Sequence, residues 1–301
     1  MKKIRVGIVG FGNVGKEIAK QLEANKDFEL IAIFSRRKIS GCVEFEKLKG
    51  YIDKIDILFL CVGSQSDLEH VAFETIKNFN TIDCYDNHNR LKDYISKMDI
   101  LAKQNKRVAL SAMGWDPGLF SLIRTLFAGL NFEPFTFWGK GLSQGHTQAI
   151  KALPNVLDAI QFTIPNQKAK QQIKDVGCWT DTKSMHKRLC YVVCEKQFQT
   201  EVKRQIKTMP DYFLGYDTTV KFVTQQELDS LKSFAHKGEV VTEFDTIKFE
   251  LNLKSNPAFT AHVMICYAFV LFGLISEKQF GAKTCLDIPV SKLVKDKYKY
   301  L

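Results

Sequence analysis

The chain has 301 residues, of which 45% are hydrophobic, so it is long enough to bury a large core in two lobes of one enzyme-sized protein. Its formal net charge of +10 comes from 43 Lys and Arg residues against 33 Asp and Glu residues, and a positive field suits an anionic cofactor and an acidic substrate. Most of the cations are lysines on predicted helix surfaces, and the few arginines form no stripe with interleaved aromatic residues, which argues against nucleic-acid binding.

The amino-terminal segment has the pattern of a dinucleotide-binding site. An apolar strand pattern over residues 4–9 runs directly into Gly10-Phe11-Gly12-Asn13-Val14-Gly15, and a helix is predicted to start near Asn13. The first glycine permits the tight turn, the second lets the backbone approach a pyrophosphate, and the third lets the helix pack against the strand. The phosphates then lie at the positive end of that helix.

The second predicted strand, Leu30 to Phe34, indicates which dinucleotide binds. An NAD enzyme usually carries Asp or Glu at this strand end, where the carboxylate binds the ribose 2'-hydroxyl. Here the strand ends in Ser35-Arg36-Arg37, whose hydroxyl and two guanidiniums offer bidentate partners to a 2'-phosphate. The sequence therefore predicts NADP(H) rather than NAD(H), with a solvated arginine pair as the alternative.

The elements that follow alternate between strand and helix. Strands are predicted over 55–62, 81–85 and 108–113, and helices over 67–79, 91–105 and 120–130. Such alternation predicts a Rossmann-type, doubly wound parallel sheet with ligands beyond the carboxyl ends of its strands. Those ends carry polar or glycine-rich runs: Ser35-Arg36-Arg37, Gly63-Ser64, Asp86-Asn87-His88 and Gly114-Trp115-Asp116-Pro117-Gly118.

Beyond residue 120 the pattern predicts a second, mixed α+β lobe. Its strands are predicted as an antiparallel sheet over 135–138, 161–164, 186–194, 218–223 and 243–253, with helices over 146–152 and 198–208. We expect an NADP-binding Rossmann domain over 1–118, a substrate-binding and dimerisation domain over 119–255, and a helical segment over 256–301 that returns to the first domain. The apolar stretch 263–275 is shorter than the about 20 residues that cross a bilayer and is predicted to be a buried helix.

The cysteines and the amino terminus favour a cytoplasmic protein. The eight cysteines are scattered through mostly apolar patterns without a C-x-x-C pair, as expected of reduced core thiols. Cys190 and Cys194 lie on a predicted strand with no ligand cluster around them, so no metal site is expected. The basic residues before the first apolar run resemble a secretion signal, but the glycine motif follows after only six residues. We expect neither a membrane nor a nucleic-acid partner.

Several distinctive runs occur in order along almost the whole chain. They are Phe34-Ser35-Arg36-Arg37, Tyr85-Asp86-Asn87-His88, Gly114-Trp115-Asp116-Pro117-Gly118, Phe137-Trp138-Gly139, Gly141-Leu142-Ser143-Gln144-Gly145-His146, His186-Lys187-Arg188, Met209-Pro210-Asp211-Tyr212-Phe213 and Asn256-Pro257. Together they resemble the NADP-dependent meso-diaminopimelate dehydrogenases. The resemblance implies reversible oxidative deamination at the D-amino centre of meso-2,6-diaminopimelate. The products are L-2-amino-6-oxopimelate, which cyclises to tetrahydrodipicolinate, ammonium and NADPH, in lysine and cell-wall precursor synthesis. It also implies a homodimer.

The resemblance implies two sets of binding residues. The implied NADP contacts are Gly10, Phe11, Gly12, Asn13, Val14, Ser35, Arg36, Arg37, Cys61, Val62, Gly63, Ser64, Cys84, Tyr85, Asp86, Met113, Gly114, Trp115, Asp116 and Pro117. The implied substrate contacts are Asp86, Asp116, Trp138, Gln144, Gly145, Thr163, Arg188, His236 and Asn256.

Asp86 and Asp116 are the candidate catalytic residues. At strand ends beside the nicotinamide, their carboxylates can hold the reacting amine and later the attacking water. The reaction needs a neutral amine before the hydride leaves, while the cofactor carries the hard chemical step. Neither the motifs nor the resemblance identifies a general base, and the absence of an obvious His or Lys base is consistent with an alkaline pH optimum. As an alternative, Asp86 is a helix-capping residue.

The remaining implied contacts suit a substrate with two carboxylates. Arg188, with Thr163 and His236, can bind a carboxylate through charge-assisted hydrogen bonds, and Asn256 adds an orienting amide. Trp138 supplies a flat wall for the carbon chain, although a lone Trp is also compatible with a core position. We expect specificity for chain length and stereochemistry to come from this two-ended grip. Three histidines are expected to have structural or supporting roles: His88, His146 and His186.

The sequence departs from the family pattern at two positions, and two rival functions remain as alternatives. His236 lies in a predicted loop that has fewer glycines than the family pattern, and Cys84 stands where a small hydroxyl residue is expected. One rival is another NADP-dependent Rossmann dehydrogenase that acts on a small amino or hydroxy acid. The other is a non-catalytic NADP-binding sensor or a basic scaffold protein, and either one predicts a degraded substrate lobe.

Overall fold

The structure is a computed structural model that describes residues 3–64 and 67–300. The chain divides into two compact units. The first contains Met1–Leu122 and Pro257–Leu301, and the second contains Ile123–Asn256. The chain thus leaves the first unit after Leu122 and returns to it at Pro257, at the start of a long carboxyl-terminal helix.

The first half of the first unit alternates strands and helices as the sequence predicts. The strands are β1 (Ile4–Val9), β2 (Phe28–Ser35), β3 (Val43–Glu44), β4 (Ile57–Leu60), β5 (Thr81–Asp83) and β6 (Val108–Leu110). The helices are α1 (Asn13–Glu23), α2 (Leu68–Thr75), α3 (Leu91–Gln104) and α4 (Leu119–Gly129).

The second unit contains two small sheets. Its strands are β7 (Pro134–Trp138), β8 (Gly141–Leu142), β9 (Asp158–Pro165), β10 (His186–Val193), β11 (Asp217–Phe222), β12 (His236–Thr242) and β13 (Lys248–Leu253). Its helices are α5 (Gln144–Lys151), α6 (Gln167–Val176), α7 (Gln199–Thr208) and α8 (Gln225–Ser230). One sheet has the order β11-β10-β9-β8 and the other β13-β12-β7.

The chain then forms α9 (Asn256–Ser276) and β14 (Gly281–Lys283), and β14 joins the sheet of the first unit. That sheet has the order β14-β6-β5-β4-β1-β2-β3, and all its pairs are parallel. The strand order reverses between β1 and β4, which is where α/β sheets of this kind bind dinucleotides. The predicted Rossmann-type sheet with a second mixed α+β lobe is confirmed.

The parallel sheet is covered on both faces. Along β4, Ile57 and Phe59 belong to one core cluster with residues of α1 and α9, whereas Leu58 and Leu60 belong to another with residues of α2 and α3. All four residues are fully buried. An uninterrupted apolar strand is what burial on both faces requires, and this pattern made the central strands predictable.

Helix α9 is longer than the sequence predicts. Its 21 residues are long and apolar enough to cross a membrane by length and composition alone, and 56% of its most apolar window is buried within the protein. Ala261, Met264, Ala268 and Leu271 lie in the same core cluster as residues of β1. The helix is therefore a core helix of the first unit, and the predicted buried helix is confirmed.

Three expectations about the second unit are wrong. The predicted antiparallel sheet is two sheets, in which β10 and β11 pair in parallel. The predicted strand over 243–253 begins only at Lys248, because residues 243–245 form a 3-10 turn in which Phe244 and Asp245 have a positive φ. His236 is the first residue of β12, not a loop residue.

A buried charge explains why β12 escaped prediction. Glu239 lies in the middle of this strand and is 8% exposed, so the strand does not read as apolar. Its carboxylate pairs with Lys170 and with Lys248, the latter at 2.8 Å. Lys170 lies on α6 and Lys248 on the neighbouring strand β13, and the two cations offset the cost of burying the charge.

Candidate active site

Two glycines allow α1 to pack directly on the end of β1. Gly10 has a φ of +95°, in the region that favours glycine, and its N–H donates to the Phe34 carbonyl over 2.8 Å. A Cβ on Gly10 would lie 2.7 Å from the carbonyl oxygen of Cys61, and a Cβ on Gly15 would overlap the carbonyl oxygen of Gly10. Both positions therefore require glycine, as the sequence motif indicates.

The amino end of α1 is suited to an anion. The helix begins at Asn13 with Gly12 as its N-cap, no side chain caps it, and its first turn contains no acidic residue. The positive end of the helix dipole is therefore not neutralised from within the helix. A Cβ on Gly12 would have no heavy atom within 4 Å, so this face of the turn is open. The neighbouring Phe11 and Val14 pack against the core.

The end of β2 presents the two predicted phosphate-binding arginines. The Ser35 hydroxyl accepts a 3.1 Å hydrogen bond from the Arg37 N–H, which fixes the turn. Both arginines are exposed, and the Arg36 guanidinium pairs with the Asp67 carboxylate at 2.5 Å. An ion pair as exposed as this one contributes about 0–1 kcal/mol, so a doubly charged phosphate can compete for the guanidinium.

The loop after β4 connects the site to the next strand. The Cys61 N–H donates to a main-chain carbonyl of β1 over 2.7 Å. Val62 follows, and the Gly63 carbonyl then accepts the N–H groups with which α2 begins. The Ser64 hydroxyl accepts a 3.3 Å hydrogen bond from the Asp86 N–H. The ends of β4 and β5 are thereby tied together.

The loop after β5 carries Cys84, Tyr85 and Asp86. Tyr85 is fully buried, stacks on Tyr94 with ring centroids 4.2 Å apart, and donates from its hydroxyl to Glu69 over 2.7 Å. Asp86 is exposed on the edge of the sheet. Desolvation by the surrounding protein raises the pKa of Asp86, but solvent around this exposed residue weakens the effect.

The loop after β6 is tightly closed on itself. The Met113 N–H donates to a main-chain carbonyl of β5 over 2.8 Å, and the Gly114 N–H donates to the Pro117 carbonyl over 3.0 Å. Trp115 is buried, whereas the neighbouring Asp116 is partly exposed. Because parallel strands end at one edge of their sheet, this loop shares that edge with Asp86 and with the turn at Gly10.

The second unit holds a buried cation, Arg188, that has no carboxylate partner among the residues that the structure describes. Arg188 on β10 and Thr163 on β9 are register partners, 6% and 3% exposed, and the guanidinium donates to the threonine hydroxyl over 2.8 Å. The guanidinium carbon lies 4.4 Å from the centroid of the Tyr216 ring. Within residues 3–64 and 67–300, no ion pair involves Arg188, and its Nε has no hydrogen-bond partner. Burial lowers the pKa of Arg188, but an arginine keeps its charge at neutral pH. Such a cation favours an anionic ligand.

Gly141 lets His236, which is also a predicted substrate contact, lie close to Thr163. It is the register partner of Thr163, and a Cβ on it would overlap the His236 ring. His236 is 4% exposed, and its Nδ1 lies 2.7 Å from the Lys237 carbonyl oxygen. Burial lowers the pKa of His236, which favours the neutral ring. The second unit therefore places Arg188 on one side of Thr163 and Gly141, with His236 packed on it, on the other side.

Trp138, at the end of β7, is fixed by a histidine. The main-chain N–H of Trp138 donates to His186 Nε2 over 2.9 Å, and the two rings lie with their centroids 4.9 Å apart. His186 is 2% exposed and is two residues before Arg188 on β10. The supporting role predicted for His186 therefore has a structural basis in the position of Trp138.

The other predicted substrate contacts lie at helix starts. Gln144 and Gly145 begin α5, and Asn256 begins α9. The Asn256 N–H donates to the Phe234 carbonyl over 2.8 Å. No hydrogen bond within the described part of the chain connects Gln144 to Arg188.

Two residues next to the site were not identified from the sequence. Tyr216 lies over Arg188, and Asp83 lies buried beneath the loops that carry Asp86 and Asp116. A signal for Asp83 was available, since an ionisable residue within an apolar strand pattern is unusual. No local signal marks Tyr216, because its role depends on a neighbour 28 positions earlier in the sequence.

Relatives of known activity match almost the whole chain. The family model Diaminopimelic acid dehydrogenase C-terminal domain matches residues 114–255. The meso-diaminopimelate D-dehydrogenase of Acetivibrio thermocellus is 41% identical over 97% of this chain and 95% of that protein. The chain belongs to the meso-diaminopimelate dehydrogenase family. The enzyme of that name from Corynebacterium glutamicum is 35% identical over 96% of this chain and 94% of its own.

Solved structures of the family have the same fold. The Corynebacterium glutamicum DAP dehydrogenase in complex with DAP matches with a TM-score of 0.93 and 34% identity, over 100% of this chain and 98% of that one. An engineered D-amino acid dehydrogenase bound to NADP+ matches with a TM-score of 0.92 and 33% identity over the same shares. The family resemblance inferred from the sequence runs is confirmed.

Substitutions at Gly15 and Gly12 should separate the effect of the glycine turn on folding from its effect on cofactor binding. Gly15→Ala places a Cβ against the Gly10 carbonyl, so α1 must move off β1, and we expect a loss of about 1–3 kcal/mol in unfolding free energy. Gly12→Ala has free space and serves as the matched variant, with nearly unchanged stability but weakened NADP+ binding. Thermal denaturation with and without NADP+ measures both effects. Wild-type stability of Gly15→Ala would contradict the packing argument.

We expect His186 to make the unfolding free energy sensitive to acid. Burial, assisted by the charges of Arg188 and Lys170, lowers the pKa of His186 to about 3, from an ordinary value near 6.5. Because the folded-state pKa is the lower one, this contribution is fully present above about pH 6.5. It is lost as the pH falls towards 3, by up to about 1.4 kcal/mol per pH unit.

His186→Gln removes this titration and keeps an acceptor for the main-chain N–H of Trp138. Urea denaturation between pH 7.5 and 5 should therefore show a steeper loss of unfolding free energy in the wild type than in the variant. His70→Gln, at a residue exposed on α2, is the control and should keep the wild-type slope. Equal slopes for wild type and His186→Gln would contradict the assignment.

Proposed function

We propose that this protein catalyses the reversible NADP-dependent oxidative deamination of the D-amino centre of meso-2,6-diaminopimelate. The products are L-2-amino-6-oxopimelate, which cyclises to tetrahydrodipicolinate, and ammonium, in lysine biosynthesis. The observation that carries the proposal is the buried Arg188 with Thr163 and no carboxylate partner within the described residues, in a chain related throughout to meso-diaminopimelate D-dehydrogenases. One carboxylate of the substrate supplies the missing anion.

The edge of the parallel sheet suits NADP. Gly10 and Gly15 leave no side chain between β1 and α1, the amino end of α1 carries no internal anion, and Arg36 and Arg37 are exposed at the end of β2. The glycine turn would hold the pyrophosphate and the arginines the 2'-phosphate. When bound, NADP+ accepts the hydride at carbon 4 of its nicotinamide.

Asp86 and Asp116 are proposed to bind the reacting amine. Both follow strands that end at the cofactor edge, and both are open to solvent at least in part. A carboxylate accepts hydrogen bonds from the amine and stabilises the positive charge that develops on the iminium after the hydride has left. The same oxygens can orient the water that attacks the iminium carbon. The substrate amine must already be neutral, so activity should rise towards alkaline pH.

The second unit is proposed to bind the other end of the substrate. Arg188, with Thr163 and His236, holds a carboxylate through charge-assisted hydrogen bonds. Tyr216 keeps the guanidinium plane fixed from one side. The remaining proposed contacts are Trp138, Gln144, Gly145 and Asn256. An enzyme that binds both ends of one molecule can select its length and the configuration of each centre.

The cellular setting is part of the same proposal. All eight cysteines are free, which suits a reducing compartment, and we place the protein in the cytoplasm. The first unit then serves as the NADP-binding domain, and the second as the domain for substrate binding and for assembly into a homodimer.

The proposal predicts NADP+ reduction with meso-diaminopimelate and release of ammonium, at a far lower kcat/KM with NAD+. Replacing both arginines, Arg36→Ala with Arg37→Ala, should raise KM for NADP+ by at least roughly 10- to 100-fold, since the loss of even one charge-assisted hydrogen bond costs about 1.5–3 kcal/mol. The values for NAD+ should hardly change. Steady-state absorbance at alkaline pH measures both cofactors.

Arg204→Ala is the matched control for this experiment. Arg204 is also exposed and also pairs with a carboxylate, that of Glu201 at 2.6 Å, but it lies on α7 in the second unit. This variant should retain the wild-type preference for NADP+. Undiminished NADP+ preference in the double variant would contradict the assignment of Arg36 and Arg37, and absence of turnover in the wild type would contradict the proposed function.

A further inference from the structure

Asp83 is a buried carboxylate at the end of β5 with its hydrogen-bonding capacity filled. It is fully buried, and within the described residues no cation pairs with it. Its Oδ1 accepts the N–H groups of Tyr85 and Ala112, each over 3.0 Å, and its Oδ2 accepts the hydroxyls of Tyr94 and Ser111, over 2.7 and 3.0 Å. A carboxylate offers about four acceptor sites, so all are in use.

These hydrogen bonds join two strand ends that are far apart in sequence. Tyr85 directly precedes Asp86, whereas Ala112 lies 29 residues beyond Asp83 on the chain that leads into the Gly114–Asp116 turn. The main chain of Asp83 adds a third tie, because its carbonyl accepts the Met113 N–H over 2.8 Å. One residue thus bonds to both loops that carry the candidate catalytic carboxylates.

The hydrogen bond between Ala112 and Asp83 stabilises an unusual backbone conformation. Ala112 has a φ of +62°, in the left-handed region that is unfavourable for a residue with a Cβ. The hydrogen bond from its N–H to Asp83 stabilises that conformation, in which the chain turns from β6 towards Asp116. Without the carboxylate, this segment can relax to a more favourable backbone conformation and carry Asp116 with it.

The other side of the carboxylate is held equally firmly. The Tyr94 hydroxyl donates to Oδ2, and its ring stacks on Tyr85, whose own hydroxyl donates to Glu69. Glu69 in turn pairs with Arg90 at 2.8 Å. A buried polar network in which every member is bonded is rigid, and partial loss of its bonds is costly.

We propose that Asp83 is a positioning residue for the reaction, which sets the relative placement of Asp86 and Asp116 through the N–H groups of Tyr85 and Ala112. This inference rests on the proposed function, since it assigns a role within the same site. Asp83 acts through the two loops and contacts neither substrate nor cofactor. Small displacements of reacting groups reduce turnover strongly, so the effect should appear in kcat.

The test compares Asp83→Ala with Asp83→Asn. The alanine variant leaves two buried N–H groups without an acceptor, and we expect kcat with meso-diaminopimelate to fall roughly 10- to 100-fold. The asparagine variant keeps an oxygen for both N–H groups, and the hydroxyls of Tyr94 and Ser111 can rotate to accept from its amide. It should therefore keep most of the wild-type kcat.

Two readouts separate positioning from general damage. Binding of 2',5'-ADP depends on the glycine turn and on Arg36 and Arg37, and it should stay unchanged in both variants. Hydrogen exchange followed by mass spectrometry should show faster exchange over residues 84–90 and 111–118 in Asp83→Ala only. Should Asp83→Ala fail to fold, Tyr94→Phe removes one of the four hydrogen bonds, and a smaller fall in kcat is expected with 2',5'-ADP binding intact.

Asp56→Ala is the matched control. Asp56 also holds a strand of the same sheet through its carboxylate, with the Arg5 guanidinium at 2.6 Å, but it lies at the opposite, amino-terminal edge. This variant should lose stability and keep kcat. Wild-type kcat in Asp83→Ala, or an equal loss in Asp83→Asn, would overturn the inference. If the wild type itself shows no turnover, the proposed function fails, and the exchange measurement alone decides whether Asp83 holds the two loops.

Discussion

The contact between the Gly10 carbonyl and the Cα of Gly15 is the constraint on which the first unit depends. With no side chain between them, α1 begins directly at the end of β1 and aims its positive end along the edge of the parallel sheet. The same edge receives the ends of β2, β4, β5 and β6. Residues that are remote in sequence therefore become neighbours, and an anionic dinucleotide can be held largely by backbone.

Two of the buried charged residues, Asp83 and Arg188, differ in how far their hydrogen-bonding groups are satisfied by the protein, and this difference separates a supporting residue from a binding residue. Asp83 has every acceptor site occupied by a donor of the protein, which fixes the loops around it. Arg188 donates to Thr163, but its Nε has no partner among the described residues. A satisfied buried charge holds structure, whereas an unsatisfied one gains from an added ligand. This contrast supports a carboxylate-binding role for Arg188.

The sequence predicted those elements whose signal is local. The turn from Gly10 to Gly15 and the apolar strands β1 and β4 depend on spacing and composition within a few residues, and the structure contains both as expected. Strand β12 escaped because the charge of Glu239 is compensated by Lys170 and Lys248, which no local pattern reveals.

The candidate site was predictable to a similar extent. The family resemblance supplied its residues one by one, and their roles in binding and catalysis stay predictions. Residues that act through others were missed, because their importance lies in long-range contacts. Asp83 accepts a hydrogen bond from Ala112, which is 29 residues away in the sequence. Tyr216, in the loop between α7 and β11, packs on Arg188 of β10. Reasoning from periodicity cannot find such partners, whereas a search for buried ionisable groups can.

The most direct test of the claim that the protein binds both ends of its substrate uses the stereoisomers of diaminopimelate. Reduction of NADP+ by the purified protein should be measured with meso-, LL- and DD-diaminopimelate supplied separately. We expect rapid turnover of the meso isomer, little with the LL isomer, which lacks a D-centre, and slow turnover of the DD isomer, whose far end has the wrong configuration. Equal rates with all three isomers, or turnover of the LL isomer alone, would contradict the account.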